Sequence, residues 1–124
     1  MTVTNYRDLI AWQKAMDLTV AVYELSEKFP REEIFGLTFQ MRKAAVSVPS
    51  NIAEGQARRS TKEFSHHLSI ALGSTAEIET QTFVAIRINY VTQTESSTVL
   101  GLATEVKKLV NGLMNSLETR PPRR

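Results

Sequence analysis

Residues Phe35 to Ser60 read FGLTFQMRKAAVSVPSNIAEGQARRS. Leu37, Met41, Ala44, Val48 and Ile52 recur in this stretch at spacings of three and four, which puts them on one face of a helix. Pro49 falls inside the pattern. A proline at such a position removes one backbone hydrogen bond and crowds the preceding turn, at a cost of about 3 kcal/mol. An apolar pattern that runs on through it predicts a single helix bent near Pro49. Beside the stripe stand Ser47, Ser50, Asn51 and Glu54, and the run closes on Gly55, Arg58 and Arg59.

Outward from this segment, helical periodicity continues in both directions. Ala11, Ala15, Leu18, Val22, Leu25 and Phe29 repeat at fours and threes, predicting a helix over about 8–29 with Asp8 as N-cap and Pro30 as stop. The Pro49 helix is expected over about 34–56, closed by Gly55 and the basic turn. Ser60 and Glu63 have capping-box spacing and open a third helix over about 61–89, along which Phe64, Leu68, Ala71, Thr75, Ile78, Thr82 and Ala85 share a face. Thr92 and Glu95 repeat that spacing and open a fourth over about 94–118, with Leu100, Ala103, Val106, Val110, Leu113 and Leu117 as its stripe. No strand pattern competes. Short connections between long helices favour antiparallel neighbours, so the expected fold is all-α, a single up-down-up-down four-helix bundle over 1–119. The basic tail 120–124 is expected to be disordered.

The third helix carries more apolar surface than one seam requires. Ile70, Leu72, Phe83, Val84, Ile86 and Ile88 point in several directions around it. Such a helix is either central to its own bundle or buried against another subunit, and the second reading is preferred because each helix of a four-helix bundle has one outward side.

Composition sets outer limits. The chain has 124 residues, 42% hydrophobic and 23% charged, as an ordinary globular domain does. It has no cysteine, which excludes disulfides and thiolate metal sites. The N-terminal sequence has no apolar core of a secretory signal, and no apolar run approaches the roughly 20 residues of a membrane span. A cytoplasmic protein with no membrane association is expected. The net charge is +2, but three arginines (Arg120, Arg123, Arg124) lie in the last five residues. Without them the body has 12 basic and 13 acidic side chains. Positive charge is instead local: Arg42, Lys43, Arg58, Arg59 and Lys62 accompany a single acid, Glu54, between residues 42 and 62.

A search for catalytic chemistry finds little. A di-iron carboxylate bundle needs two Glu-x-x-His motifs. Glu63 and His66 supply one, and the remaining histidine, His67, points about 100° away on the helix. No metal and no cofactor are expected. Neither histidine has a carboxylate orienter suited to a serine nucleophile, and no glycine-rich phosphate loop is present. Glu77 and Glu79 diverge around a helix and do not make an acid–base pair; at least one is expected to meet Arg42 or Arg87 across the bundle. No enzymatic activity and no small-molecule substrate are anticipated.

Ser50, Asn51 and Glu54 are expected to form a structural polar cluster with Glu77 and Gln81, satisfying backbone groups that Pro49 leaves free. The competing reading is a direct ligand role for the same residues. The basic turn adjoins the N-terminus of the third helix, where free N–H groups and the helix dipole favour anions. Arg42, Lys43, Arg58, Arg59 and Lys62 are therefore the candidate contacts to nucleic-acid phosphates, without aromatic residues in the turn for base stacking.

Three stretches together resemble a known family: YRDLIAWQKAMDL from Tyr6, FPREEIFGLTFQMRKAAVSVPSNIAEG from Phe29, and RRSTKEFSHHLSIALGSTAEIETQ from Arg58. They are similar to the four-helix-bundle proteins encoded within intervening sequences of bacterial 23S rRNA genes, a ribosomal-protein-like family. The likeness covers Tyr6 to about Tyr90 and is most specific in the Pro-Ser-Asn-Ile-Ala-Glu-Gly run. It implies a left-handed bundle assembled as a homopentameric ring, with no known catalytic activity. More distant relatives are accessory proteins of diversity-generating retroelements, which bind a reverse transcriptase and nucleic acid. Two functions follow as expectations. One is a homo-oligomer that associates with structured RNA or a ribonucleoprotein through the basic turn. The other is a protein-interaction scaffold or retroelement accessory subunit without direct nucleic-acid contact.

Overall fold

Pro49 has no N–H to offer the Ala45 carbonyl one turn earlier, and the fold supplies a replacement from another helix. The computed structural model describes residues 5–118. Among them, four α-helices run in order: α1 (Ile10–Ser26), α2 (Leu37–Ala57), α3 (Thr61–Arg87) and α4 (Ser97–Glu118), with short 3-10 turns at Tyr6–Asp8 and Arg31–Glu33 and no strand. α2 continues through Pro49 as one helix. The Thr19 hydroxyl of α1 lies 3.0 Å from the Ala45 carbonyl oxygen and 2.9 Å from that of Ala15. A hydroxyl carries one proton, so the two acceptors share it. The carbonyl that proline orphans is thus satisfied across the α1–α2 seam, and not by the polar cluster beside Pro49.

Each helix packs against its neighbour in sequence, and α1 also packs against α4. Contacts across the seams run in opposite directions along paired helices. On α1 and α2, Thr19 meets Ala45 and Ser26 meets Arg42. On α2 and α3, Ser47 meets Ser74 and Asn51 meets His67. On α1 and α4, Lys14 meets Glu105, and Lys28 beyond the end of α1 meets Glu95 just ahead of α4. These pairings are those of antiparallel neighbours, the arrangement that short connections favour. Most of the core follows the stripes read from the sequence, with Leu18, Val22, Met41, Val48, Ile52, Leu68, Ile78, Val106 and Val110 all fully buried, but Ala45, Val91 and Val99 join it from outside them, and Leu37, Phe64, Leu100 and Leu113 are only half-buried.

Helix ends differ from the sequence reading where local hydrogen bonding takes over. Asn5, not Asp8, caps the N-terminal segment: its side chain accepts from the Arg7 N–H, and Asp8 falls in a 3-10 turn before α1 begins at Ile10. α1 stops at Ser26, four residues ahead of Pro30. Gly55 does not terminate α2. It lies buried within the helix, where a Cβ would stand 2.7 Å from His67 Cβ and 3.0 Å from the Phe64 ring, so glycine lets α2 and α3 approach closely. Thr92 and Glu95 make both bonds of a capping box, at 3.0 and 2.9 Å. Ser60 and Glu63 make only one: Ser60 Oγ accepts from the Glu63 N–H, while the Glu63 carboxylate turns to Arg58.

Glu33 ties the two connections at one end of the bundle together. Its Oε1 accepts from the Leu37 N–H at the start of α2, and its Oε2 accepts from the Tyr90 hydroxyl after α3 at 2.7 Å. A Cβ at Gly36 would stand 2.5 Å from that Oε1, so glycine leaves room for the carboxylate. The Leu37 N–H first and the Tyr90 hydroxyl second hold the Glu33 carboxyl below the usual carboxylate range. A carboxylate held low contributes stability above its unfolded value and loses that contribution as pH falls through the folded one. Glu33→Gln is therefore expected to melt below the wild type at pH 7, with the gap closing as pH drops below the ordinary carboxylate range. Thermal melts in a pH series check this, and a gap that widens in acid overturns it.

Candidate nucleic-acid interface

The polar residues beside Pro49 form a chain along the α2–α3 seam that ends at the basic turn. Ser74 and Ser47 hydroxyls meet at 2.8 Å. Asn51 Nδ2 donates to the Ser47 carbonyl at 2.9 Å and to Ser47 Oγ at 3.0 Å. A carbonyl only accepts, so the Asn51 amide nitrogen must face Ser47 and its Oδ1 must face His67. His67 Nδ1, 3.0 Å away, then carries the donated proton. Beyond it, His67 Nε2 lies 3.8 Å from Glu54 Oε2. Glu54 Oε2 accepts from Arg58 Nη2 at 2.6 Å, and Arg58 Nη1 reaches Glu63 at 3.4 Å. The Arg58 guanidinium holds the Glu54 carboxyl below its usual range and is itself raised by that carboxylate.

Two members of the expected cluster stand elsewhere. Glu77 and Gln81 share a shallow groove on α3 with Gly73, Ala76 and Thr80. Gln81 Oε1 is buried with no hydrogen-bond partner among the described residues. Ser50 is exposed on α2. The cluster therefore resolves into Ser47, Asn51 and Glu54 with the previously unassigned Ser74 and His67. Helical register identifies which residues face α3 only once the neighbour is known, which is why Ser74 carried no signal in the sequence. Nor does Arg42 or Arg87 meet Glu77 or Glu79. Glu79 pairs with Lys107 of α4 at 3.0 Å.

The five candidate cations are not one patch. Arg42 is turned toward α1, donating to Ser26 Oγ at 2.8 Å and to the Tyr23 carbonyl at 3.3 Å, with its guanidinium 4.7 Å over the Tyr23 ring. Lys43 is exposed near it, 15 positions before Arg58, or about 22 Å along the helix. Arg58 is engaged with two carboxylates. Arg59 and Lys62 are exposed and have no ion-pair partner among the described residues. Arg59 also has φ 58, in the left-handed region, where it turns the chain from α2 into α3. The other non-glycine residue with positive φ is Asn89, a residue type that often visits this region.

The sequence model of the 23S rRNA-intervening sequence proteins matches residues 7–112. The chain belongs to that family. A solved structure of a Bacteroides thetaiotaomicron protein of unknown function, from the S23 ribosomal protein family, superposes with a TM-score of 0.78. It is 24% identical and the alignment covers 85% of this chain and 98% of that one, a likeness that shows the shared fold. No curated protein matches the chain. Among the described residues of this 23S rRNA-intervening sequence protein, no group of three or more His, Cys, Asp or Glu is placed to hold a metal ion. No described helix is long and apolar enough to cross a membrane.

Proposed function

We propose that this family member is a non-enzymatic, cytoplasmic homo-oligomer that associates with structured RNA through the α2–α3 turn, with five subunits the number the family resemblance implies. The observation that carries the reading is Arg59. A side chain in the left-handed region costs about 1–2 kcal/mol that glycine would not. Holding there an arginine with no ion-pair partner among the described residues keeps a cation at the tip of the turn at the expense of stability, beside the exposed Lys62 and the N-terminus of α3.

Two outward apolar patches support self-association. Met16, Val20 and Tyr23 of α1 and Phe39 and Val46 of α2, two helices that pack together, are all exposed, and the Arg42 guanidinium of α2 stacks on the Tyr23 ring of α1. Ile70 and Val84 of α3, and Ile88 just past its end, are exposed as well. Two unlike patches on one subunit suit a head-to-tail interface, which closes into a ring when the rotation allows. Every subunit of such a ring presents its turn on the same side, and weak contacts gain by multivalency.

The test is a salt titration of binding to a fluorescent structured RNA, with sedimentation of the same samples. Affinity should fall steeply from low to physiological salt. Arg59→Gly should lower affinity and reduce the salt slope by about one contact, yet leave the melting temperature unchanged or raised as strain is relieved. Binding that is absent or indifferent to salt overturns the RNA reading, and a stable monomer overturns the ring. The first outcome would leave the protein-interaction scaffold, a reading favoured by Phe35, which is 90% exposed in the α1–α2 connection near Ile34.

A further inference from the structure

The hydrogen bonds along the α2–α3 seam leave His67 with a mismatch on its outer side. The Ser47 carbonyl fixes which way the Asn51 amide points, and Asn51 Oδ1 then takes the Nδ1 proton of His67. A neutral imidazole has one N–H, so its Nε2 is left with a lone pair. That nitrogen faces Glu54 Oε2 at 3.8 Å, and a carboxylate only accepts. Two acceptors thus confront each other, on a histidine whose side chain is 14% exposed. Gly55 lets the His67 Cβ sit directly against α2, which holds the ring in this position. A proton on Nε2 turns the mismatch into an ion pair. Histidine is the side chain that ordinarily takes such a proton between about pH 5 and 8.

The same carboxylate oxygen holds Arg58. Glu54 Oε2 accepts from Arg58 Nη2 at 2.6 Å, whereas the second tie of Arg58, to Glu63, is 3.4 Å long and beyond the usual hydrogen-bond range. No other acid stands within ion-pair distance of His67 among the described residues. On α3 itself, His66 is exposed with its ring 5.7 Å away, and Glu63, one turn earlier, turns to Arg58. α4 packs on α3 but sends His67 no ion pair: Glu105 and Lys107 are engaged by Lys14 and Glu79, and Lys108 and Glu118 are exposed. The arginines Arg120, Arg123 and Arg124 lie outside the described residues.

We infer that His67 is a proton-operated gate on Arg58. Protonated at Nε2 from solvent, it takes the Glu54 carboxylate, and Arg58 is released to join Arg59 and Lys62 against RNA phosphates. The inference rests on the RNA reading above and deepens it, adding regulation by acidity to the same turn. With His67 neutral, the cations Arg58, Arg59 and Lys62 face the carboxylates Glu54 and Glu63, a net of +1 that becomes +2 when His67 is charged.

The experiment is the slope of log affinity against log salt for a labelled RNA hairpin, measured on the full-length chain at about pH 8 and about pH 5.5. On acidification the slope should steepen by about 0.7–0.9 for each turn that touches the RNA, the share of one phosphate contact. His66→Gln, which leaves His67 as the single histidine, should keep the steepening. Glu54→Gln should show the steep slope already at the higher pH, and Arg58→Gln the shallow one at both, since neither has a pair to exchange. Steepening that survives in both variants overturns the gate, because His67 would then merely add charge. A second readout needs no RNA: ring 15N shifts of His66→Gln at the higher pH should place the His67 proton on Nδ1, and an Nε2–H tautomer contradicts the inference. RNA binding whose slope is indifferent to pH overturns the gate alone. Absence of binding at low salt at either pH overturns the RNA reading and the gate with it, so the two failures are distinguishable.

Discussion

Replacing Leu68 by aspartate is expected to unfold the protein. Leu68 is fully buried, on the face of α3 that also holds Ala71, Thr75 and Ile78. The substitution removes about 2–3 kcal/mol of side-chain burial and places an unpaired carboxylate where nothing can solvate it. Together these exceed about 4 kcal/mol, a large fraction of the roughly 5–15 kcal/mol that holds a domain of this kind. Far-UV circular dichroism and a thermal melt give the readout. Leu68→Ala is the comparison: it should keep its helices and lose about 2–5 kcal/mol. An aspartate variant with undiminished helicity and melting temperature would mean that Leu68 does not face the core.

The second large effect is a coupling between two residues 30 positions apart. Thr19→Val keeps the shape of the side chain but leaves the Ala45 carbonyl without its donor, at a cost of about 1–3 kcal/mol. In a Pro49→Ala background the helix regains the N–H that α2 lacks, and that N–H can serve Ala45 directly. Thr19→Val should then cost much less, giving an interaction term of about 1 kcal/mol in a double-mutant cycle. Denaturant unfolding of the four proteins measures it. Additive costs would show that Thr19 and Pro49 do not share the carbonyl. The same residues account for how α2 tolerates an internal proline: the α1–α2 seam offsets part of what the helix loses.

The core and the helices were legible because both follow from spacing. Stripes of threes and fours marked Leu18, Met41, Ile52, Leu68 and Val106, and each is buried. Capping chemistry at Thr92 and Glu95 was legible for the same reason, since both partners lie within four residues. Single-residue features read less well when two structural roles were open to them. Gly55 had the position of a helix stop but serves a close helix crossing, a role that depends on Phe64 and His67.

By itself, then, the sequence determined which residues are oily, how often they recur, and that a carbonyl near Pro49 would need help. It did so because periodicity and backbone chemistry are local. Tertiary structure decided who gives the help, which of five nearby cations remain available, and which chain segments share an end. Thr19 meets Ala45, Arg42 is drawn to Tyr23 and Ser26, and Glu63 joins Glu54 on Arg58. Each is a contact between residues whose helical faces meet only after packing fixes the register, and electrostatic balance depends on distances that a linear count of charges does not contain.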